Sequence, residues 1–322
     1  MTDKPARGYR QGYLASAPLR QGAPVGPYAN QLDQVGSRKR ILRVWQTAYL
    51  SRVGKQIEFM QFGADGLRPL LWLHSIEYPM SPPWGLCVDA ADAGFSIVAV
   101  RRPGFGESSL AADLAEEVSI LSAFLEEAEF DDAVMIVEGT ARPAGIRLAQ
   151  TNPRIAFTVL ARPGYVAEGF GDMDPWFRDL ILQTMQTRAG AAFSFAAITQ
   201  LGRTSGYQWL YENFLKLECD SQYIRTNGRD LAEAWNCLRV IKTDTFRREL
   251  KSLEPDPSLT PGALEGFRGV AVVGAETPRI WRDGFEAKSA SLGIDTHILP
   301  SGALFALYQN APALFQLIAD RT

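Results

Sequence analysis

The sequence predicts an α/β fold: a mostly parallel sheet covered by helices on both faces, with an inserted helical cap. Three observations lead there. Short continuous apolar runs such as "PLLWLHS", "FSIVAV", "DAVMIVEG" and "IAFTVLA" have the length and content of strands buried on both faces. Segments of helical periodicity alternate with them, and crossover helices of this kind are what parallel strands require. About a hundred helix-like residues then interrupt the alternation before strand-like runs resume.

Taken in order, residues 1–38 are rich in Gly, Pro, Ala, Gln and Arg and lack periodicity, which predicts a tail without a core of its own. Arg7, Arg10, Arg20, Arg38, Lys39 and Arg40 stand there against Asp3 and Asp33. Such a basic arm suits an acidic protein partner or nucleic acid; a solvated leader or an arm packed on its own domain is the simpler reading. Apolar and polar residues begin to alternate from "ILRVWQTAYL" on, and "KQIEFMQFG" and "PLLWLHS" read as strands joined by "GADGLRP". "VDAADAG" reads as a helix ended by Gly94 before the strand "FSIVAV". "LAADLAEEVSILSAFLEEAEF" reads as an amphipathic helix with Leu110, Leu114, Val118, Leu121 and Leu125 on one face. "DAVMIVEG", "PAGIRLAQTNP" and "IAFTVLARPG" continue the strand, helix, strand pattern, with Pro143 tolerated in the first helical turn. Residues 166–265 form the helical insertion. The sheet pattern returns in "GVAVVGAE", the helix "WRDGFEAKSASLG", the strand "IDTHILP" and the closing helix "APALFQLIAD". The expected division is therefore a tail at 1–38, a core at 39–165 and 266–322, and a cap at 166–265.

Composition narrows the function classes. With 46% hydrophobic and 21% charged residues and a formal net charge of −3, the chain reads as a soluble globular protein. The core offers no whole-surface attraction to nucleic acid or anionic membrane, although local basic patches are compatible with that balance. Cys87, Cys219 and Cys237 lie far apart without CxxC spacing, which suggests neither a disulfide framework nor a zinc site and fits a reducing cytoplasm. No signal-peptide core and no apolar run of about 18 residues is evident, so neither secretion nor a membrane span is expected. "GFGES" lacks the dinucleotide fingerprint and the Walker lysine, and no cofactor is implied.

Five segments, in the right order and at the right distances, resemble the α/β-hydrolase superfamily over about residues 55–320. "LLWLHS" is similar to the strand and turn that supply half of the oxyanion hole, and "GFSIVAVRRPGFGESS" to the next strand and its loop. "VMIVEGTARPAGIRLAQTNP" is similar to the nucleophile elbow and its helix. "GVAVVGAETP" resembles the strand bearing the catalytic acid, and "LPSGALFALYQNAPALF" the segment bearing the catalytic histidine. The second and last segments are most similar to bacterial α/β-hydrolase proteins associated with helix-turn-helix regulators, although the N-terminal region here is too short to be such a domain.

The resemblance implies a serine, histidine and carboxylate acting together. Alignment on the first glycine of the elbow places Ala141 at the nucleophile, whereas alignment on the following helix places Gly139 there; neither offers a nucleophile, and Thr140 lies beside both. The histidine position falls on Ala303, or on Leu304 after a one-residue slip. His297 lies six residues upstream, about 20 Å of extended chain from that position. Thr277 occupies the usual acid position beside Glu276, with Glu168, Asp172 and Asp174 as other carboxylates near strand ends. Arg142 would stand near the oxyanion position, bind an anionic ligand, pair with Glu138 or face solvent. Arg101 would pair with Glu107 or a neighbouring acid, or recognise an anion.

These substitutions lead to the expectation of a non-catalytic α/β-hydrolase-like protein that retains a pocket for a small ligand or a partner and acts in regulation. The pocket would be lined by His74, Ser75, Tyr78, Trp84, Thr140, Arg142 and Phe305, with Trp176, Phe177, Tyr207 and Trp209 from the cap as further candidates. His74 would otherwise support the turn it sits in. Two alternatives remain: an active esterase-like enzyme using Thr140, His74 and a carboxylate, which requires Thr140 within hydrogen-bond reach of an imidazole, and an interaction protein whose pocket is filled by aromatic side chains.

Overall fold

A computed structural model of the chain describes residues 45–63, 66–78, 82–161, 187–214, 218–252 and 256–322. The 1–38 tail, the 165/166 boundary of the cap, and Glu168, Asp172, Asp174, Trp176 and Phe177 lie outside the described residues. Eight strands form one sheet: β1 (Gln46–Leu50), β2 (Lys55–Phe62), β3 (Arg68–Leu73), β4 (Phe95–Arg101), β5 (Ala133–Glu138), β6 (Ile155–Ala161), β7 (Gly269–Gly274) and β8 (Thr296–Leu299). Their order is β1-β2-β4-β3-β5-β6-β7-β8; the β1/β2 and β2/β4 pairs are antiparallel and the remaining pairs parallel. The strands β2 and β3, neighbours in sequence, are thus separated in the sheet by β4.

Side-chain alternation along the central strands divides the core in two. Leu71, Leu73, Met135 and Val137 point to one face, where they meet Leu121 and Phe124 of α2 (Leu114–Glu127) and Leu148 of α3 (Arg142–Thr151). Leu70, Trp72, Val134 and Ile136 point to the other, against α1 (Trp84–Asp92) and the C-terminal helix Ala311–Arg321. Because both faces are covered, β5 and β6 are buried at every residue, which explains their unbroken apolar sequence. Each such Leu, Ile or Phe contributes about 1.5–3 kcal/mol through burial.

Helix boundaries differ from the sequence reading where capping decides them. The helix α2 begins at Leu114 rather than Leu110 because Asp113 accepts the Glu116 N–H at 2.8 Å as its N-cap, and Leu110 stays outside the helix, exposed. Between β6 and β7 the described chain is helical, as expected: α4 (Arg188–Ser205), α5 (Tyr207–Phe214), α6 (Glu218–Thr226), α7 (Gly228–Leu238) and α8 (Thr243–Lys251). The helix α9 (Arg279–Leu292) ends at Gly293, whose φ of 84° is the left-handed C-cap. A short helix not anticipated from sequence, α10 (Ala306–Gln309), precedes α11 (Ala311–Arg321).

Candidate functional site

The strand β5 ends at Glu138, and the chain turns through Gly139–Ala141 into α3. Gly139 has φ 42°, the left-handed conformation that a side chain strains to adopt, so it is the apex of the elbow. Ala141 is fully buried in the core on the α2/α3 face of the sheet. Of the two positions left open by sequence, Gly139 is the one at the left-handed apex of the turn, and Ala141 lies in the core. A Cβ at Gly139 would lie 2.5 Å from Ser75 Oγ, so the space of a nucleophilic side chain is already occupied.

The surrounding amides are occupied too. The N–H of Thr140, the residue following the apex, donates to Ser75 Oγ at 3.1 Å, and the N–H of Ile76 in the turn after β3 donates to Thr140 Oγ1 at 2.9 Å. An oxyanion hole is built from one amide after the nucleophile and one from the β3 turn, and both corresponding amides here bind hydroxyls of the protein itself. Ser75 Oγ in turn donates to the Glu77 carboxylate.

Behind the elbow lies a buried ion cluster. Arg102, fully enclosed, donates through Nη1 to Glu117 Oε1 at 3.0 Å and through Nη2 to Glu249 Oε2 and to Thr140 Oγ1, the latter at 3.2 Å. Thr140 Oγ1 donates to Glu249 Oε2 at 2.6 Å. Burial alone would lower the Arg102 pKa, but Glu249 and Glu117 outweigh it and hold the guanidinium firmly charged. His74 completes the corner: its Nδ1 lies 3.0 Å from the Ser75 carbonyl oxygen, and its Nε2 accepts the Arg102 N–H at 3.2 Å. Those partners fix the Nδ1–H tautomer, and burial followed by the Arg102 charge pushes the imidazole pKa well below its ordinary value. Thr140 therefore hydrogen-bonds a carboxylate and not an imidazole, which removes the geometric requirement of the Thr140/His74 alternative.

The remaining positions are fixed structurally. Asp220, at 0% exposure on α6, receives the N–H groups of Ala303 at 3.4 Å, Leu304 at 3.0 Å and Phe305 at 3.2 Å, so a cap carboxylate pins the loop where a catalytic histidine would stand. Thr277 Oγ1 is buried without a hydrogen-bond partner among the described residues, while Glu276 accepts the Gly302 N–H at 2.5 Å. Arg142 corrects an expectation. It is buried rather than facing solvent, and it donates to the Ser252 carbonyl at 2.9 Å, just beyond α8. Arg101 pairs with Glu58 rather than Glu107, at 3.2 Å, and its guanidinium lies 4.2 Å from the Trp45 ring centroid.

Of the residues expected around a pocket, Ser75, Tyr78 and Phe305 line one cavity together with Gly139 and Ala303. His74, Thr140, Arg142 and Thr277 lie outside its wall; Trp84 is half exposed at the start of α1, edge-on to Phe62. The cavity measures about 30 Å³, room for about one water and about a tenth of the smallest ligand pockets. An aromatic stack fills the rest: Tyr223 from the cap lies 4.7 Å from Phe305 and 5.9 Å from Tyr308, and Tyr78 lies 5.0 Å from Tyr308. Of the cap candidates, Tyr207 packs against this cluster and Trp209 is exposed. Tyr308, which the sequence reading missed, donates to Glu138 at 2.7 Å; Trp72 Nε1 binds the same carboxylate at 3.0 Å. Burial and the Glu138 charge raise the Tyr308 pKa well above that of a free phenol. Asp220, Glu117 and Glu249 were missed as well. Only the Arg101–Arg102 pair at a strand end signalled that acids must gather there.

This strand order, with its elbow after β5 and helices between β6 and β7, is the α/β-hydrolase fold. No family model matches the chain, and no curated protein sequence does. Solved structures do: a bromoperoxidase from Bacillus anthracis is similar with a TM-score of 0.62 at 15% identity, covering 86% of this chain and 100% of the other. An epoxide hydrolase from an endophytic Streptomyces matches with a TM-score of 0.60 at 14% identity over 86% and 94% of the two chains. An alpha/beta hydrolase from a Medee basin deep-sea metagenome library matches at 0.54 and 13% over 83% and 94%.

Proposed function

We propose that this chain is a non-catalytic α/β-hydrolase-fold protein that acts by association, in a regulatory role, rather than by acyl transfer. The observation that carries this reading is the Ser75 hydroxyl seated where the side chain of a nucleophile at Gly139 would begin. A hydrolase needs an attacking atom, a base and free oxyanion donors together. Here the apex has no side chain, position 303 is alanine, and both amides are engaged. Thr140 offers no substitute: its Oγ1 is buried, already bonded to two donors, and tied to the Glu249 carboxylate, which also pairs with Arg102.

The aromatic filling of the cavity favours a macromolecular partner over a small ligand as the associating species. Small-ligand binding through Ser75, Tyr78 and Phe305 is the second reading, favoured by the Tyr78 hydroxyl, which is buried without a hydrogen-bond partner among the described residues. A panel of p-nitrophenyl esters, run on wild type, His74→Ala and Thr140→Ala beside a thermal-shift ligand screen, tests both. The expected result is no turnover above buffer for any of the three. Turnover abolished by either variant would overturn the non-catalytic reading, and a reproducible Tm rise with one compound class would establish the second.

A further inference from the structure

A second cavity lies between α3 and the segment 256–263, on the chain's return from α8 to β7. It measures about 330 Å³ against about 30 Å³ beside Gly139, and no described residue lines both. Its volume falls at the lower end of small-molecule sites, which span about 300–1,000 Å³. Part of its wall is apolar: Ile146 of α3 and Leu259 of the segment are both buried. The segment is held in place by α9, where Lys288 Nζ donates to the Leu259 carbonyl at 3.1 Å, the Gly262 N–H to the Ser291 carbonyl at 2.8 Å and the Leu264 N–H to the Leu292 carbonyl at 2.8 Å. Gln150 Nε2 of α3 donates to the Ala263 carbonyl at 3.4 Å and joins the two sides. The cleft is therefore formed before any ligand arrives, which lowers the cost of binding there.

Among the described residues, two charged side chains line this cleft, Arg147 from α3 and Asp256 from the segment. They do not pair with each other. Arg147 is exposed, and its guanidinium makes no ion pair or hydrogen bond among the described residues. Asp256 accepts the Ser258 N–H at 2.9 Å and the Ser258 hydroxyl at 2.6 Å, both through Oδ1, while Oδ2 accepts nothing among the described residues.

Opposite charges that share a cleft without meeting select the ligand. A simple anion would be drawn by Arg147 and repelled by Asp256, a simple cation the reverse, and a neutral molecule would satisfy neither charge. Only a ligand bearing both charges is attracted by both residues. We propose that this cleft binds a free amino acid, with its carboxylate on the planar Arg147 fork, its ammonium on Asp256 Oδ2 and an apolar side chain against Ile146 and Leu259. Such a ligand would bridge the helix that follows the elbow and the segment by which the cap rejoins the sheet. The inference goes beyond the non-catalytic reading and does not depend on it.

The test is a thermal-shift screen of the full chain against the standard amino acids at millimolar concentration. Calorimetry then follows with the amino acid giving the largest shift, its N-acetyl derivative and its amide. Leucine and methionine are expected to raise Tm. Removing either ligand charge should weaken binding about tenfold, the equivalent of about 1.4 kcal/mol. Arg147→Ala and Asp256→Asn should each do the same while leaving the Tm of the free protein unchanged, since Arg147 is exposed and Asn keeps the oxygen that Ser258 needs. No shift with any amino acid, equal binding of the blocked derivatives, or affinity insensitive to both variants would overturn the proposal. So would a shift that survives Arg147→Ala and disappears in Tyr78→Phe, which would assign the ligand to the cavity beside Gly139. Ester hydrolysis is read separately, so neither result decides the other.

Discussion

At residue scale, the elbow is decided by one backbone angle and one hydroxyl. Gly139 at φ 42° tolerates no Cβ without strain, a cost of about 1–2 kcal/mol in the left-handed region. Ser75 Oγ adds a clash. Gly139→Ser is therefore expected to lower stability by about 2 kcal/mol or more in urea titration and to yield no esterase activity. Appearance of a burst of p-nitrophenol in that variant would show that restoring the hydroxyl suffices after all. His74 gives a second prediction. Its folded-state pKa lies well below that of a free imidazole, so between pH 7 and 5 the unfolded chain takes up a proton that the folded one refuses. Stability contributed by neutral His74 is thus present above the unfolded pKa and falls as pH drops through it, by about 1.4 kcal/mol per pH unit below ~6.5. His74→Gln should flatten the slope of urea midpoints over that range by about one proton, and an unchanged slope would mean that His74 titrates normally in the fold.

At the scale of elements, what the sequence reveals depends on whether periodicity or tertiary contact does the specifying. Continuous apolar runs identify β3 to β7 because burial on both faces leaves no room for alternation. The start of α2 is misplaced by four residues because Leu110 shares the helical spacing, while the Asp113 cap determines where the helix begins. The missing nucleophile and histidine are readable directly, since no register supplies them. The ion cluster is not: Arg102, Glu117 and Glu249 are separated by up to 147 residues, and only the fold joins them. The same holds for Asp220, which links α6 to the loop before α10. Asp220→Ala should free three amides at once and, at about 1.5–3 kcal/mol for a hydrogen bond to a charged group, loosen the loop more than the molecule. Hydrogen exchange of the 303–305 amides should quicken markedly while β5 stays protected. Unaltered exchange at 303–305 would show that packing of Phe305 alone holds the loop.

At the scale of the whole molecule, cap and core are joined through charges withdrawn from water. Glu249 of α8 meets Arg102 at the end of β4, Arg248 bonds the Pro103 carbonyl, Thr245 donates to the Gly104 carbonyl at 3.2 Å, and Tyr211 of α5 donates to the Glu77 carbonyl at 2.6 Å. Bonds of this density between layers predict that cap and core unfold as one unit, so urea curves followed by far-UV circular dichroism and by tryptophan fluorescence should coincide. Buried ion pairs stabilise less through their attraction than they destabilise when halved, because the surviving charge is left without water or partner. Glu249→Ala should therefore cost about 3–5 kcal/mol, shifting both curves together. Joint replacement, Arg102→Met with Glu249→Leu, should cost less than the sum of the single changes: neither charge remains, and Glu117 keeps Arg248, whose Nε lies 3.5 Å away. Additive losses in that cycle would mean that the two residues stabilise the fold independently. A fluorescence transition that separates from the dichroism curve in Glu249→Ala alone would instead make this ion pair the contact that couples the cap to the sheet.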